Sequence, residues 1–290
     1  MMINRSDRTA WWLVAPFLAM EFVFVAIPLG IGAFLSLYKV DFLERTSFVG
    51  LGNYWAVLTS PAVLRSVWLT GVFTFFALIF TFVAGFSLAL MLERDSRLHV
   101  FGRAVVLVPF TISMLVGSML LKWIFSREAG LMPFALAPFG LGDVSILADP
   151  TNAMAALVFN AMWRDSAFAM ILLMAGLKSV PLQLYDAARV DGAGPLRRFV
   201  RITLPLMRLP ILITLVRLII HFANILTFPL ILTGGGPSDA TNIIGLQLYR
   251  TGFQDYRLGI ANAFALMLFV FNILLILLVI RLFRAKEQQA

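Results

Sequence analysis

The chain has 290 residues, of which 61% are hydrophobic and 13% are charged, and its mean hydropathy is +0.92. A soluble domain is only about half apolar, so this composition excludes a soluble protein and indicates an integral membrane protein. The 23 Lys and Arg outnumber the 15 Asp and Glu, but they are dispersed over many loops, so no nucleic-acid partner is expected. The absence of Cys excludes disulfides and Cys-ligated metal sites.

Six stretches are long enough to cross a membrane, since a spanning helix needs about 20 apolar residues. The first follows Arg5 and Arg8 without a cleavage site and is therefore read as a retained span rather than a signal peptide. Asp149-Pro150 predicts the start of the fourth, because Asp caps a helix and Pro suits its first position. We predict an all-α integral membrane protein with six transmembrane helices, at about 11–38, 67–92, 104–125, 153–177, 209–232 and 259–280.

The positive charges predict the orientation of these spans. Fourteen Lys and Arg lie in the two tails and in the loops 93–103 and 178–208, whereas the alternate loops hold six. Cytoplasmic loops carry the excess of Lys and Arg, so both termini are expected in the cytoplasm. The external loops would then be 39–66, 126–152 and 233–258, each too short to be an independent domain. We therefore predict one membrane domain over 1–290, with a core at 66–285.

The loop 181–196 carries a pattern typical of a helix that contacts another protein. Ser179-Val180-Pro181 can open a short helix with Leu182 and Leu184 on its apolar face, and Gly192 permits a sharp turn. Small Ala residues allow a partner to approach closely. By periodicity alone, the same segment could instead lie on lipid headgroups, attracted by the basic residues that follow it.

Ionisable residues inside spans are the other signal, because each costs about 2.5–3.5 kcal/mol at a helix centre unless it faces protein or water. In span 5, polar residues recur at helical spacing and form one stripe that cannot face lipid. They are read either as contacts between helices or as the lining of a solute pathway. Arg164 could also meet an acidic group of a solute. The pathway candidates are Asn160, Arg164, Asp165, Arg217, His221 and Asn224, of which Asn160, Arg164 and Asn224 are preferred.

Span depth predicts which charges pair. Asp165 and Arg217 fall at the same level if spans 4 and 5 are antiparallel neighbours, so we expect them to pair. Arg164 with Glu21 is the competing pair. His221 has neither a second His nor a carboxylate on its own helix face, and no metal site is expected.

Three motifs in order resemble the permeases of ABC importers. That family carries Glu-Ala-Ala, three residues and Gly, followed later by Leu-Pro; here Asp186 replaces Glu, and the other positions match. The sequences after spans 1 and 5 resemble the carbohydrate-uptake branch of these permeases. The matching strings are Asp186-Ala187-Ala188, Gly192, Leu204-Pro205, Phe48-Val49-Gly50-Leu51-Gly52-Asn53-Tyr54 and Leu232-Thr233-Gly234-Gly235-Gly236-Pro237.

The resemblance implies the MetI-like fold of type I ABC importer permeases, with a cytoplasmic coupling helix, in a bacterial plasma (inner) membrane. It implies a second, usually distinct permease, two ATP-binding subunits that hold ATP and Mg, and an external solute-binding protein. The chain itself would hold no cofactor and catalyse no reaction; its solute would be a sugar, polyol, glycerol-phosphate compound or anionic sugar. The resemblance assigns ATPase coupling to Asp186, Ala187, Ala188, Asp191, Gly192 and Ala193.

The string Gly235-Gly236-Pro237 has two interpretations. The family resemblance makes it an external segment near the docked binding protein, and composition alone makes it a flexible turn. It is not a nucleotide-binding loop, because no Lys follows the glycines.

Two functions of other classes compete with the importer permease. An ion-coupled secondary transporter could use Glu21, Arg164 and Asp165 as a relay, but the chain shows no inverted repeat. An intramembrane hydrolase would need a base at the depth of Ser166, and no His is placed to serve.

Overall fold

The computed structural model describes residues 5–42, 44–127, 130–140 and 145–287. The helices and strands follow one another in chain order. The first half comprises α1 (Arg5–Glu21), a π-helical turn (Phe22–Ala26), α2 (Ile27–Leu35), β1 (Tyr38–Asp41), β2 (Glu44–Phe48), α3 (Gly52–Thr59), α4 (Pro61–Met91), α5 (Arg97–Thr111), α6 (Met114–Ile124), α7 (Leu131–Leu136) and a 3-10 turn (Ala137–Phe139).

The second half contains the helices that carry the candidate site. It comprises a 3-10 turn (Ile146–Ala148), α8 (Pro150–Lys178), α9 (Leu182–Val190), α10 (Pro195–Arg198), a π-helical turn (Phe199–Thr203), α11 (Leu204–Leu206), α12 (Arg208–Ala223), a π-helical turn (Pro229–Thr233), α13 (Ile244–Tyr249), a π-helical turn (Arg250–Gln254) and α14 (Leu258–Glu287).

Four segments of the described chain are continuous helices long and apolar enough to cross a membrane. They are Leu13–Leu35, Pro61–Met91, Pro150–Lys178 and Leu258–Leu278. Two bent pairs raise the number to six if each pair makes one crossing: α5 with α6, and Pro195–Leu206 with α12. The six predicted spans therefore correspond to these segments, but two of them are broken.

The third predicted span, 104–125, is not one straight helix. The chain bends by 93° between α5 and α6. Pro109 has no N–H to donate inside α5, and Ile112 and Ser113 take extended backbone. The new helix then starts from Ser113, whose carbonyl accepts the N–H of Gly117.

The fifth predicted span, 209–232, ends early. Helix α12 stops at Ala223, and the side chain of Asn224 donates to the carbonyl of Ile220. This local bond competes with continued helix, as short amide side chains do. The segment before α12, predicted as loop, is largely helical and meets α12 at a bend of 67°, next to Leu204-Pro205.

The chain forms two compact units, which are residues 1–64 with 248–290, and residues 65–247. In the second unit, α8 is the central helix: most of its residues between Ala153 and Leu177 are buried. Glycines allow close approach to it. A Cβ on Gly85 of α4 would lie 2.5 Å from the Cβ of Ala169, and a Cβ on Gly176 would lie 2.5 Å from the ring of Pro210 in α12.

The first unit contains a small hairpin that the all-helical prediction omitted. Strands β1 and β2 pair antiparallel, with Tyr38 opposite Phe48 and an irregularity after Lys39. Asn53, from the Gly-Leu-Gly-Asn-Tyr motif, is buried and its side-chain amide donates to the carbonyls of Ser36 and Tyr38 at 2.7 and 2.8 Å. The motif therefore anchors the hairpin to the end of α2.

Candidate functional site

The predicted short helix after span 4 is present as α9. It begins at Leu182, with Pro181 in extended conformation before it, and ends at Val190. Gly192 has a φ of +73°, and two hydrogen bonds close the end: Ala193 N to Ala188 O at 2.8 Å and Gly192 N to Arg189 O at 3.0 Å. These bonds form a Schellman motif, which requires the left-handed conformation that Gly adopts at little cost.

Helix α9 presents most of its surface outward. Leu182, Leu184 and Val190 are exposed, and Val190 retains 88% of its accessible surface. The inner side is held by the hydroxyl of Tyr185, which lies 2.8 Å from the Oγ1 of Thr203. The apolar face predicted from periodicity is thus not packed on the chain itself, and remains available for a partner.

The outward face also carries the acid of the motif. Asp186 is exposed and accepts a hydrogen bond from Arg189 at 3.2 Å, one helical turn further on. Ala187 is exposed beside it, whereas Ala188 is half-buried. A small residue next to an exposed carboxylate leaves room for a donor from another protein.

A charged cluster that sequence reasoning missed lies beside α9. Asp95, in the turn between α4 and α5, contacts Lys178 Nζ at 2.8 Å and Arg103 Nη2 at 2.9 Å. The hydrogen bond from Lys178, followed by that from Arg103, lowers the pKa of the exposed Asp95 below its ordinary value of 3.8. Lys178 is the last residue of α8. Its contact with Asp95 therefore connects the start of the loop after α8 to the turn between α4 and α5.

These residues border a groove of about 760 Å³. Its walls are the turn after α4, the end of α8 and one side of α9, and they include Glu93, Arg94, Asp95, Lys178, Tyr185, Asp186, Arg189 and Arg198. The groove is rich in both signs of charge. No sequence spacing predicts it, because its walls come from segments about 90 residues apart.

The predicted intramembrane residues partly converge between α8 and α12. Asp165 is fully buried, and its Oδ1 lies 3.2 Å from Arg164 Nη1. Its Oδ2 lies 3.3 Å from Nε2 of His221, although these two atoms are not aligned for a hydrogen bond. A carboxylate, a guanidinium and an imidazole thus share one site, between the middle of α8 and the last turn of α12.

The predicted pair of Asp165 and Arg217 is not formed. The oxygens of Asp165 lie against Arg164 and His221, and His221 is one helical turn beyond Arg217. The Arg217 guanidinium instead lies over the ring of Phe168, with Cζ 4.3 Å from the centroid. Of the competing pair, Arg164 bonds the adjacent Asp165.

The prediction of a direct ion pair between Asp165 and Arg217 is therefore wrong. Asp165 pairs with its own neighbour instead. The long Arg164 side chain reaches the carboxylate of Asp165, even though successive residues point about 100° apart on a helix. Arg164 also lies over the ring of Phe110, with its Cζ 5.0 Å from the centroid.

The two asparagine candidates form hydrogen bonds to residues outside this charge cluster. The side-chain amide of Asn160 donates to Ser118 Oγ in α6 at 2.9 Å, and its Oδ1 is buried without a hydrogen-bond partner among the described residues. Asn224 lies just beyond α12 and bonds its own helix. Ser118, which sequence reasoning missed, connects α6 to α8.

The Gly-Gly-Gly-Pro string forms a hydrogen-bonded turn. Gly234 and Gly235 have φ of +61° and +90°, which explains why glycines occupy these positions. The buried Thr241 donates to the carbonyl of Gly236 at 2.7 Å, and its Oγ1 lies 2.7 Å from that of Thr233. Pro237 follows at the surface of this turn, half-buried.

Comparison with known proteins identifies the family to which these features belong. Residues 81–288 match the model of the binding-protein-dependent transport system inner membrane component. The chain is 31% identical to the trehalose/maltose transport system permease protein MalF of Thermococcus litoralis, over 92% of this chain and 90% of that protein. It is 32% identical to the sn-glycerol-3-phosphate transport system permease protein UgpA of Escherichia coli O157:H7, over 99% and 97%.

A solved structure has the same fold. The chain superposes with a TM-score of 0.85 on a chain of a bacterial ABC transporter involved in the import of the acidic polysaccharide alginate, at 22% identity and over 97% of this chain and 96% of that one. The predicted MetI-like permease fold is confirmed, and the family match favours the importer over the ion-coupled secondary transporter. The chain belongs to the inner membrane components of binding-protein-dependent transport systems, and it is the membrane-spanning permease subunit of such an importer.

Proposed function

We propose that this chain forms half of the pathway of an ATP-driven importer for a sugar or sugar-like solute, and that α9 transmits the motion of an ATPase subunit. The observation that carries the proposal is the position and exposure of α9. It presents an apolar and small-residue surface, and it lies in the chain between α8 and α12. A push on α9 would therefore act on both helices that carry the polar cluster.

The other components of the assembly are inferred from the family and from the relatives. Two cytoplasmic subunits would bind ATP and Mg, a second and distinct permease would complete the pathway, and an external binding protein would deliver the solute. The solute class follows the relatives, one named for trehalose and maltose and another for glycerol-3-phosphate. The chain would lie in a bacterial plasma membrane with both termini in the cytoplasm, as the Lys and Arg distribution predicts.

Within this scheme the other candidate residues take two roles. The cluster of Arg164, Asp165, Arg217 and His221 would line the solute pathway, with Asn160 and Asn224 at other points along it. The turn at Gly235, Gly236 and Pro237 would face the binding protein. Closure of the ATPase pair would move α9, and the pathway would open alternately to each side.

The experiment compares two substitutions at Gly192 in the complete importer in proteoliposomes. A β-branched side chain resists the φ of +73°, whereas Asn tolerates it. A Cβ at this position meets no atom within 4 Å, so conformation alone is altered. Gly192→Val should abolish ATP-driven uptake while the chain stays in the membrane, and Gly192→Asn should retain most of it.

The measurements are solute uptake, and ATP hydrolysis with and without the binding protein. We expect Gly192→Val to lose the stimulation of hydrolysis by the binding protein. Wild-type uptake by Gly192→Val would show that the shape of this loop does not couple the two activities. Uptake that continues without ATP or without the ATPase subunits would contradict the proposed function itself.

A further inference from the structure

The membrane helices of the second unit carry more positive than negative charge at mid-depth. Asp165 is the one carboxylate in the sequences of α4, α5, α6, α8 and α12. Arg164 and Arg217 lie within the same helices, away from their ends. Even with His221 neutral, the cluster holds two cations for one anion. An uncompensated charge at this depth is costly, so the imbalance calls for an anion.

The geometry indicates which cation lacks a direct ion pair. Asp165 is engaged by Arg164 at 3.2 Å and approached by His221 on its other oxygen. Arg217 has no ion pair among the described residues. Its guanidinium rests on Phe168, and its Nη1 is buried without a hydrogen-bond partner in the described part of the chain. An aromatic face offsets only part of the cost of a desolvated cation.

A guanidinium held by one face against a ring keeps its edge available. That edge presents parallel N–H donors that match a carboxylate, sulfonate or phosphate in two-point contact. The ring also fixes the plane of the group, so less rotational freedom is lost when an anion binds. Arg217 is half-buried rather than fully enclosed, so part of its side chain remains accessible in this chain.

We propose that Arg217 binds the acidic group of an anionic, hydroxyl-rich solute as it crosses the membrane, with Arg164 and Asp165 forming the neutral pair behind it. This inference rests on the proposed function and specifies its solute. The relatives leave the charge of the solute open, because trehalose and maltose are neutral and glycerol-3-phosphate is an anion. The positive charge of Arg217, which has no direct ion pair among the described residues, favours an acidic solute over a neutral one.

The test uses the complete importer in proteoliposomes with its own binding protein. Trehalose and maltose serve as neutral probes, and sn-glycerol 3-phosphate and a glucuronate-containing disaccharide as acidic ones. Calorimetry first establishes which probes the binding protein binds, and ATP-driven uptake is then measured as a function of loaded binding protein. We expect an acidic probe to be bound and transported, and the neutral probes to be rejected.

Three variants separate the role of Arg217 from a structural one. Arg217→Gln should lower uptake of the acid by about tenfold or more, as expected for the loss of charge-assisted hydrogen bonds. Arg217→Lys keeps the positive charge but loses the two parallel N–H donors of the guanidinium. The KM for the loaded binding protein should therefore rise severalfold, with less change in maximum rate. Arg208→Gln, at an exposed Arg that begins α12, should behave as wild type.

Several outcomes would overturn the inference. One is a binding protein that takes only neutral sugars while the wild-type importer still shows ATP-driven uptake. A second is acid transport by Arg217→Gln at the wild-type rate. A third is failure of both Arg217 variants to assemble with the second permease, since the counter-charge would then belong to that subunit. ATP-independent uptake by the wild type would contradict the proposed function instead.

Discussion

At the scale of single residues, Asp165 is the centre of the intramembrane site. Its burial is complete, so its charge is stabilised by what contacts it rather than by water. Arg164 supplies a hydrogen-bonded ion pair with only 11% of its side chain exposed. Such a pair contributes little over an apolar substitute, but losing one partner is expensive because the other stays buried and charged.

We therefore predict strong coupling between Asp165 and Arg164. Asp165→Asn or Arg164→Gln alone should lower the free energy of unfolding by about 3–5 kcal/mol, and the double variant should lose less than the sum. Thermal unfolding of the purified importer in detergent measures these losses.

The matched control is the double variant of Asp165→Asn with Arg217→Gln. Arg217 lies on Phe168 rather than in an ion pair with Asp165, so its coupling energy should be clearly smaller. Equal coupling energies of Asp165 with Arg164 and with Arg217 would show that the carboxylate interacts equally with both guanidinium groups. That result would contradict the geometry described above.

At the scale of elements, close contacts between helices depend on residues without side chains. Gly176, near the end of α8, faces Pro210 and the sulfur of Met207, both close to the start of α12. These contacts hold together the two helices that flank α9 in the chain. Since lipid offers apolar surface to any helix, close packing of small residues is what stabilises helix pairs in a membrane.

Gly176→Leu should accordingly weaken the packing of α8 on α12. The Cβ alone would lie 2.5 Å from the Pro210 ring, and overpacking typically costs about 1–3 kcal/mol. We expect a lower unfolding temperature and reduced ATP-driven uptake. Gly71→Ala in α4 is the control, because a Cβ there meets no atom within 4 Å and Ala favours a helix over Gly. A Gly176→Leu protein as stable as Gly71→Ala would refute this view of the contact.

At the scale of the whole molecule, the Lys and Arg distribution makes a prediction about membrane orientation. Fourteen basic residues lie in the tails and loops assigned to the cytoplasm, and six lie in the alternate loops. Single Cys residues introduced into this Cys-free chain can be labelled with an impermeant thiol reagent added outside intact cells.

Cys introduced at Phe134 or Ala240 should be labelled from outside, and Cys introduced at Arg97 should be labelled only after the cells are opened. Phe134 and Arg97 are both exposed, so accessibility within the chain does not separate them. The reverse pattern would place α9 outside the cell, where no ATPase could reach it, and would remove the basis for coupling.

Much of the fold could be predicted from local sequence, because the membrane imposes a simple rule. A backbone in hydrocarbon must satisfy its own hydrogen bonds, so long apolar stretches become helices. The fourth span follows this rule, with Asp149 capping the N–H groups of Thr151 and Asn152 as its sequence predicts. The helix α9 and its turn were likewise predictable, since Gly192 meets a purely local conformational requirement.

The breaks within spans 3 and 5 were less predictable. Apolar composition continues through Ile112 and through the segment after Asn224, so hydropathy alone predicts that the helix continues at both places. The local bonding of Asn224 and the extended backbone at Ile112 and Ser113 decide otherwise.

The sequence by itself determined the class of protein, the approximate spans and the short helix α9 with its turn, because each depends on composition or on residues a few positions apart. Only the tertiary structure decided the partners at the site. Asp165 faces His221 rather than Arg217, Asn160 meets Ser118, and Asp95 joins Lys178. A helix has one residue every 1.5 Å, so a shift of one turn along its axis exchanges one partner for another. The position of each helix along its axis is set by the packing of whole helix faces, which no short stretch of sequence contains.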